Sequence, residues 1–291
     1  MCVEKVHDYL GMILDYTVQG ELKVSMVDYV KSMVEEFPGQ LGEKRTGTPW
    51  NDNLFKVDPS SKHLDKEKAE NFHTTVARGL YATKRARPDV QPAIAFLCTR
   101  IKQPTEEDWR KLVKMVTFLK FTQNDPLILK CNGTRILEWY VDTSFAVHPK
   151  YESHTGCVMF MGMGAVQSVS TKQKVNTRSS TEAELVGVDD CIAKILWTKL
   201  FLDVQGYTIV ENIIYQDNQS TMKLEENGKA SSGKRTRHFN IKYFYVTDQV
   251  KRGEVIIRYC PTDDMVGDYM TKPLVGEKFR KFRKLIMNLK K

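Results

Sequence analysis

Apolar and polar positions alternate over residues 7–26, around Gly11 and Gly20, as in two short strands joined at a glycine turn. Ser25 is placed to cap a helix that aligns Val27, Val30, Met33, Val34 and Phe37 on one face; Pro38 and Gly39 stop it. Polar text punctuated by Gly42, Gly47, Pro49 and Pro59 predicts mostly loop over 40–68. Helical periodicity returns over 72–83 and 90–101, on either side of a turn at Arg87-Pro88-Asp89. A further helix opens within 104–108, pointing Trp109, Leu112, Val113, Val116 and Leu119 inward and Arg110, Lys111, Lys114 and Lys120 outward. Residues 1–132 therefore read as a mainly helical region with basic outer faces.

From Gly133 the period changes. Residues 136–146, 156–161 and 165–170 predict three successive strands, broken at His148-Pro149 and at 162–164. A long helix follows over 180–202, capped by Ser180 or Thr181 and burying Leu185, Val188, Ile192, Ile195, Leu196 and Leu200. Residues 213–216 form a fourth strand, short and apolar, as a central parallel strand is. A helix from Asn218, a helical stretch over 238–251, a strand over 255–259 and a terminal helix complete the chain. Three antiparallel strands, then helix, strand, helix, strand, helix is the order of an RNase H-like domain. The predicted fold class is α/β, with a five-stranded mixed sheet and helices over 133–291.

At 291 residues the chain is long for one core, which agrees with two domains. Hydrophobic content of 41% with 10% aromatics fits a packed interior rather than a disordered chain. Lys+Arg number 44 against 36 Asp+Glu; the resulting +8 favours a polyanionic partner weakly, and ordinary solubility produces the same excess. Cys2, Cys98, Cys131, Cys157, Cys191 and Cys260 stand singly, which argues against a zinc site or a dense disulfide framework and for free thiols in a reducing compartment. No apolar run approaches the ~20 residues that span a bilayer, and the first five residues do not open a signal peptide. An intracellular, soluble protein with no membrane partner is expected.

Four acids stand where acids are unusual. Asp142 follows Trp139-Tyr140-Val141 inside a strand, where a carboxylate is costly unless it is paired or bound to a metal. Glu184 lies one turn into the long helix. Asp217 ends the fourth strand, at the carboxyl edge where open α/β sheets place their sites. Asp268, in Met265-Val266-Gly267-Asp268-Tyr269, is placed at the start of the last helix. Singly each has an ordinary explanation: a strand end, a first helical turn favoured by the macrodipole (Glu182 and Glu184), a helix cap, a surface acid. Jointly, from four elements converging on one edge, they match the shared carboxylates that hold two magnesium ions about 4 Å apart for phosphodiester cleavage.

The strings Tyr140-Val141-Asp142, Lys172-Gln173-Lys174, Arg178-Ser179-Ser180-Thr181-Glu182-Ala183-Glu184, Asp217-Asn218-Gln219-Ser220, Lys234-Arg235-Thr236-Arg237-His238 and Asp268-Tyr269-Met270-Thr271-Lys272-Pro273-Leu274 resemble one family. It is the copia-type LTR retrotransposon Pol polyprotein, in which RNase H directly follows reverse transcriptase. The resemblance implies hydrolysis of the RNA strand of RNA/DNA hybrids, with Asp142, Glu184, Asp217 and Asp268 as catalytic and metal residues for two Mg²⁺, Mn²⁺ substituting. Glu184 is preferred to Glu182 because it precedes Leu185, as the family's helix glutamate does. Lys172, Lys174, Arg178, Lys234, Arg235, Arg237 and His238 are candidate phosphate contacts, with Phe239 and Tyr243 beside the last four. The tail over 278–291 reads as a helix packing Phe279 and Phe282, its cations making duplex contact secondarily. Shape and phosphates rather than sequence are read in a hybrid. The family's setting is the cytoplasm, in virus-like particles, and the nucleus.

The first half resembles the downstream end of the same polymerase. Tyr9, Leu10 and Gly11 are similar to its primer-grip turn, and Thr48-Pro49, Tyr81, Arg87-Pro88-Asp89-Val90 and the Trp109 helix to its thumb and connection. The polymerase's Tyr-Val-Asp-Asp hairpin is absent, and Val188-Asp189-Asp190 and Thr262-Asp263-Asp264 fall on a helix and a loop, unsuited to replace it. DNA synthesis is thus expected only from a longer parent polyprotein that supplies fingers and palm upstream. No histidine occurs over 261–267, where cellular and retroviral RNases H often carry one that aids product release; His238 is the candidate substitute. The rival readings are an inactive relic that binds nucleic acid, and an RNase H-like nuclease or integrase acting on DNA.

Overall fold

The computed structural model describes residues 4–228 and 242–290. In chain order the elements are β1 (Val6–Tyr9), β2 (Met12–Asp15), β3 (Glu21–Ser25), α1 (Val27–Glu35), α2 (Lys66–Thr83), α3 (Gln91–Cys98), α4 (Glu106–Thr122) and β4 (Leu127–Lys130). Then come β5 (Ile136–Ser144), β6 (His154–Phe160), β7 (Ala165–Lys172), α5 (Ser180–Val204), β8 (Glu211–Gln216), α6 (Gln219–Asn227), α7 (Lys242–Lys251), β9 (Ile256–Tyr259), α8 (Asp268–Thr271) and α9 (Gly276–Met287). They form two compact units. The first takes the chain through Cys131, Met163–Ala165 and everything from Pro273 on; the second takes Asn132–Gly162 and Val166–Lys272.

The first unit pairs a four-stranded antiparallel sheet, β1-β2-β3-β4, with α1 to α4 and α9. Leu10 and Gly11, at φ 53° and 70°, make the tight turn between β1 and β2, as left-handed central residues do in hairpins. Two strands were expected here and three form, because the polar stretch before Glu21 turns the chain a second time. Ser25 does not cap α1: it is still the last residue of β3, and Met26 stands at the cap position with no side-chain bond. In α4 the Thr105 hydroxyl and the Asp108 carboxylate bond each other's backbone in a reciprocal capping box, which fixes the start of the helix. Lys111 was expected outside and is buried. Its ammonium bonds the Lys56 carbonyl, lies 3.3 Å from Glu107 and sits 4.7 Å above the Phe96 ring, so its charge is met inside the unit.

The segment from Pro273 on belongs to the first unit, whereas the sequence suggested one run over 133–291. Phe279, Phe282 and Ile286 on α9 are fully buried, the Trp50 indole donates to the Leu274 carbonyl at 2.8 Å, and Trp50 meets Phe279 edge-on. Arg283 reaches Asp89 at 2.9 Å and Asp125 at 2.7 Å. The tail thus packs its aromatics, and an ion cluster explains where.

The second unit is built on a five-stranded sheet in the order β7-β6-β5-β8-β9. β5 runs antiparallel to β6 and parallel to β8, and β8 runs parallel to β9. One face is covered by α5, and the core joins Leu137, Trp139 and Val141 of β5 to Val188, Ile192 and Ile195 of α5 and to Val246 and Ile257. The Trp139 indole is satisfied by Asn212 at 3.0 Å. α5 is capped by Ser179, one residue before Ser180 and two before Thr181, the expected caps; the Ser179 hydroxyl accepts from the Glu182 N–H. Leu200 was expected in the buried stripe and is 62% exposed. Asp268 begins the short helix α8 rather than the last helix, since the chain breaks at Lys272 before α9.

Two glycines set how closely the helices approach the strands. A Cβ on Gly187 of α5 would lie 2.3 Å from the Thr143 hydroxyl of β5, and one on Gly156 of β6 would lie 2.5 Å from Thr271 and 2.7 Å from Met270. Both helices therefore sit closer than any side chain at these positions would permit. Glu184 lies one turn before Gly187, and Asp268 lies on the helix that Gly156 admits, so the close approaches position the acids.

Candidate metal centre

Asp142 is the seventh residue of β5, paired with Gly156, and only 1% exposed. Glu184 is buried on α5, and Asp217 follows the end of β8 directly, half-buried. β5 and β8 are parallel neighbours, so their carboxyl ends bring Asp142 and Asp217 together while α5 lays Glu184 across them. One carboxylate oxygen from each of Asp142, Glu184 and Asp217 lies within 4.8 Å of the other two.

This concentration of acid is reflected in their protonation. Burial pushes Asp142 up to about 6; Lys272 opposes the rise, and Asp268 and Asp217 add to it. Burial likewise drives Glu184 well above the usual carboxylate range, with Asp142, Asp217 and Glu225 contributing. The Glu184 Oε2 atom is buried without a hydrogen-bond partner among the described residues. Asp217 accepts from the Thr262 hydroxyl at 3.2 Å.

Asp268 lies outside the trio and joins it through Lys272. The Lys272 ammonium bonds Asp268 and lies 3.5 Å from Asp142 Oδ1, and the Thr271 hydroxyl donates to Asp142 Oδ2. Burial works against the Lys272 charge, but Asp142 and Asp268 outweigh it and hold its pKa above the ordinary lysine range. Thr271 and Lys272 were legible in the text only as part of a motif. The four-residue spacing from Asp268 to Lys272 is a signal that could have paired them. Glu225 on α6 had no such signal, because Lys223-Leu224-Glu225-Glu226 reads as a solvated run. It is fully buried, neither of its carboxyl oxygens has a hydrogen-bond partner among the described residues, and burial pushes its pKa well up.

Of the remaining sequence-predicted residues, Lys172 ends β7 and pairs with Glu152 at 2.8 Å, while Lys174 and Arg178 are exposed on the segment leading into α5. Lys234, Arg235, Arg237 and His238 lie outside the described residues. Tyr9, Leu10 and Gly11 form the exposed tip of the β1–β2 hairpin, where the Leu10 carbonyl accepts from the Tyr81 hydroxyl at 2.8 Å.

The donor set suits a hard divalent cation. Every ligand atom is a carboxylate oxygen, and among the described residues the acids outnumber Lys272 and Glu184 Oε2 is an unsatisfied buried acceptor. Strand order, directions and this acidic edge together define an RNase H-like α/β fold preceded by a mainly helical region. No family model matches the chain. Curated relatives do. It is 26% identical over 95% of its length to the "Retrovirus-related Pol polyprotein from transposon TNT 1-94" of Nicotiana tabacum, spanning 21% of that protein. It is 31% identical over 96% of its length to the "Retrovirus-related Pol polyprotein from transposon RE1" of Arabidopsis thaliana, spanning 19%. It is 23% identical over 94% of its length to the "Transposon Ty1-NL2 Gag-Pol polyprotein" of Saccharomyces cerevisiae, spanning 16%. Among solved structures, that of a foamy viral protease-reverse transcriptase in complex with RNA/DNA hybrid aligns with 89% of this chain and 30% of its own, at 11% identity and a TM-score of 0.48. The chain belongs to the copia/Ty1-type retrotransposon Pol polyproteins. It spans a fifth or less of the length of two of these three relatives and 21% of the other.

Proposed function

We propose that the second unit hydrolyses the RNA strand of RNA/DNA hybrids and that the first unit is the thumb and connection end of the preceding polymerase. The observation that carries this reading is the meeting of Asp142, Glu184 and Asp217 at one sheet edge, with oxygens within 4.8 Å of one another. Asp142, Glu184 and Asp217 would hold Mg²⁺, with Asp268 completing the set for a second ion. Bound there, such ions polarise the scissile phosphate and lower the pKa of water. Thr271 fixes the Asp142 carboxylate by donating to it, and Lys272 keeps Asp142 and Asp268 from repelling each other. The closeness of α5 to β5 holds Glu184 in place, so the site is largely formed before substrate arrives. Exposed Lys174 and Arg178 flank the start of α5 and are suited to phosphate contact. In the longer polyprotein the partners are the RNA/DNA hybrid and the upstream fingers and palm, and the setting is intracellular. No helix among the described residues is long and apolar enough to cross a membrane.

The test is cleavage of an end-labelled RNA/DNA hybrid by the full chain in Mg²⁺ or Mn²⁺, beside duplex DNA and duplex RNA. Asp217→Asn should lower the rate by at least about 10²-fold while leaving hybrid binding within a few-fold of the parent. Equal rates in parent and variant would remove Asp217 from the site. Cleavage of duplex DNA alone would replace the reading with a DNA nuclease, and no cleavage with any substrate would leave a nucleic-acid-binding relic.

A further inference from the structure

The first unit carries a cleft with several cations at its rim. A cleft of about 470 Å³ is lined by Arg45, Thr46, Gly47, Arg280 and Lys284 above a floor that includes Phe118 and Phe279. Its volume falls in the ~300–1,000 Å³ range of ligand pockets. Arg283 also borders it, but that guanidinium is committed to Asp89 and Asp125. Arg45, Arg280 and Lys284 are different: all three are exposed, and none has an ion pair among the described residues. Arg280 and Lys284 are four apart on α9, where like charges on one helical face repel. The fold leaves this repulsion unrelieved. Beside it, the Thr46 hydroxyl oxygen is shielded from solvent and has no hydrogen-bond partner among the described residues.

We propose that this cleft seats a backbone phosphate of a nucleic-acid strand. Two guanidiniums can each grip phosphate oxygens in a bidentate fork, an ammonium supplies a third positive charge, and the Thr46 hydroxyl supplies a neutral donor. The floor favours the sugar-phosphate backbone over a base. Phe118 and Phe279 are buried, pack edge-on at 6.1 Å, and Phe118 is already covered by Arg283 at 5.1 Å, which leaves no free ring face for stacking. Gly47 adds access, since nothing lies within 4 Å of where its Cβ would be. A strand can approach its backbone closely. The proposal rests on the reading that the chain acts on nucleic acid, yet it concerns none of the carboxylates or their partners Thr271 and Lys272.

The experiment is anisotropy of a fluorescent RNA/DNA hybrid titrated with the full chain in EDTA over a series of KCl concentrations. Arg280→Gln/Lys284→Gln should weaken binding about tenfold at 0.1 M salt and reduce the slope of log K against log salt by about 1–2. Lys62→Gln/Lys102→Gln, an equal charge change on exposed lysines away from the cleft, should have a much smaller effect. Gly47→Leu fills the cleft without changing charge and should weaken binding at least about threefold, with the melting temperature held. The proposal is overturned if Gly47→Leu binds as the parent does, or if the cleft and control pairs of lysine and arginine changes weaken binding equally. Those outcomes leave the hydrolysis reading intact, whereas a parent that does not bind the hybrid at all overturns both.

Discussion

Both units bury carboxylates, and they treat them in opposite ways. In the first unit Asp89 is wholly inaccessible and lies between two guanidiniums: Arg87 bonds both its oxygens at 2.9 Å, and Arg283 adds a third bond at 2.9 Å. Burial alone would raise the Asp89 pKa, but Arg87 and Arg283 outweigh it and hold the carboxyl below its ordinary value. In the second unit Asp142, Glu184 and Glu225 are buried, Lys272 opposes the rise at Asp142 and Glu184, and the pKa values of all three acids still rise. A carboxylate whose charge is cancelled by the chain itself serves the fold. A group of carboxylates whose charge the chain leaves uncancelled is a site for something else to neutralise, and it costs stability until that happens.

The contrast can be broken at either end. Asp89→Ala removes the carboxylate shared by the buried Arg87 and by Arg283 and should cost about 3–5 kcal/mol in chemical denaturation; a loss under 1 kcal/mol would show that the cluster is not structural. Asp142→Asn should act in the opposite sense in the absence of metal. The folded Asp142 pKa of about 6 lies above the ordinary value of 3.8, so the folded state binds the proton more tightly. That contribution to stability is fully present below pH 3.8 and is lost as pH rises through 6, an amount of roughly 3 kcal/mol. His148 and His154, depressed to about 4 and about 3 by burial, pull the other way, losing stability as pH falls below 6.5. The informative quantity is therefore parent minus Asp142→Asn in EDTA: parent stability should fall relative to the variant between pH 4 and 7, and parallel curves would mean that Asp142 is not strained by its neighbours. Gly187→Ala is the smallest of the three changes, about 1–3 kcal/mol of overpacking against Thr143, and a neutral result would mean that α5 can move away from β5 freely.

Much of this was readable from periodicity. The strand runs around Tyr140 and Tyr215 and the apolar stripe from Leu185 to Ile195 place β5, β8 and α5, and with them Asp142, Asp217 and Glu184, because each acid interrupts or ends a pattern that would otherwise be apolar. What could not be read depends on partners distant in the chain. β4 is a strand because Leu127–Lys130 pair with β3 over a hundred residues earlier. The tail joins the first unit because Arg283 finds Asp89, and local text gives no hint of that pairing. Lys111 and Glu225 look like surface residues until tertiary packing encloses them, and Leu200 looks like core until the stripe it extends runs past the sheet.

The central claim is that the acidic edge of the second unit is a divalent-cation site. Its most direct test is a Mn²⁺ titration of the full chain followed by electron paramagnetic resonance, without nucleic acid, on the parent and on Glu184→Gln. The account predicts saturable Mn²⁺ binding by the parent, competed by Mg²⁺ and weakened at least about tenfold in the variant. Identical titrations, or a parent that leaves all the Mn²⁺ free, would contradict it.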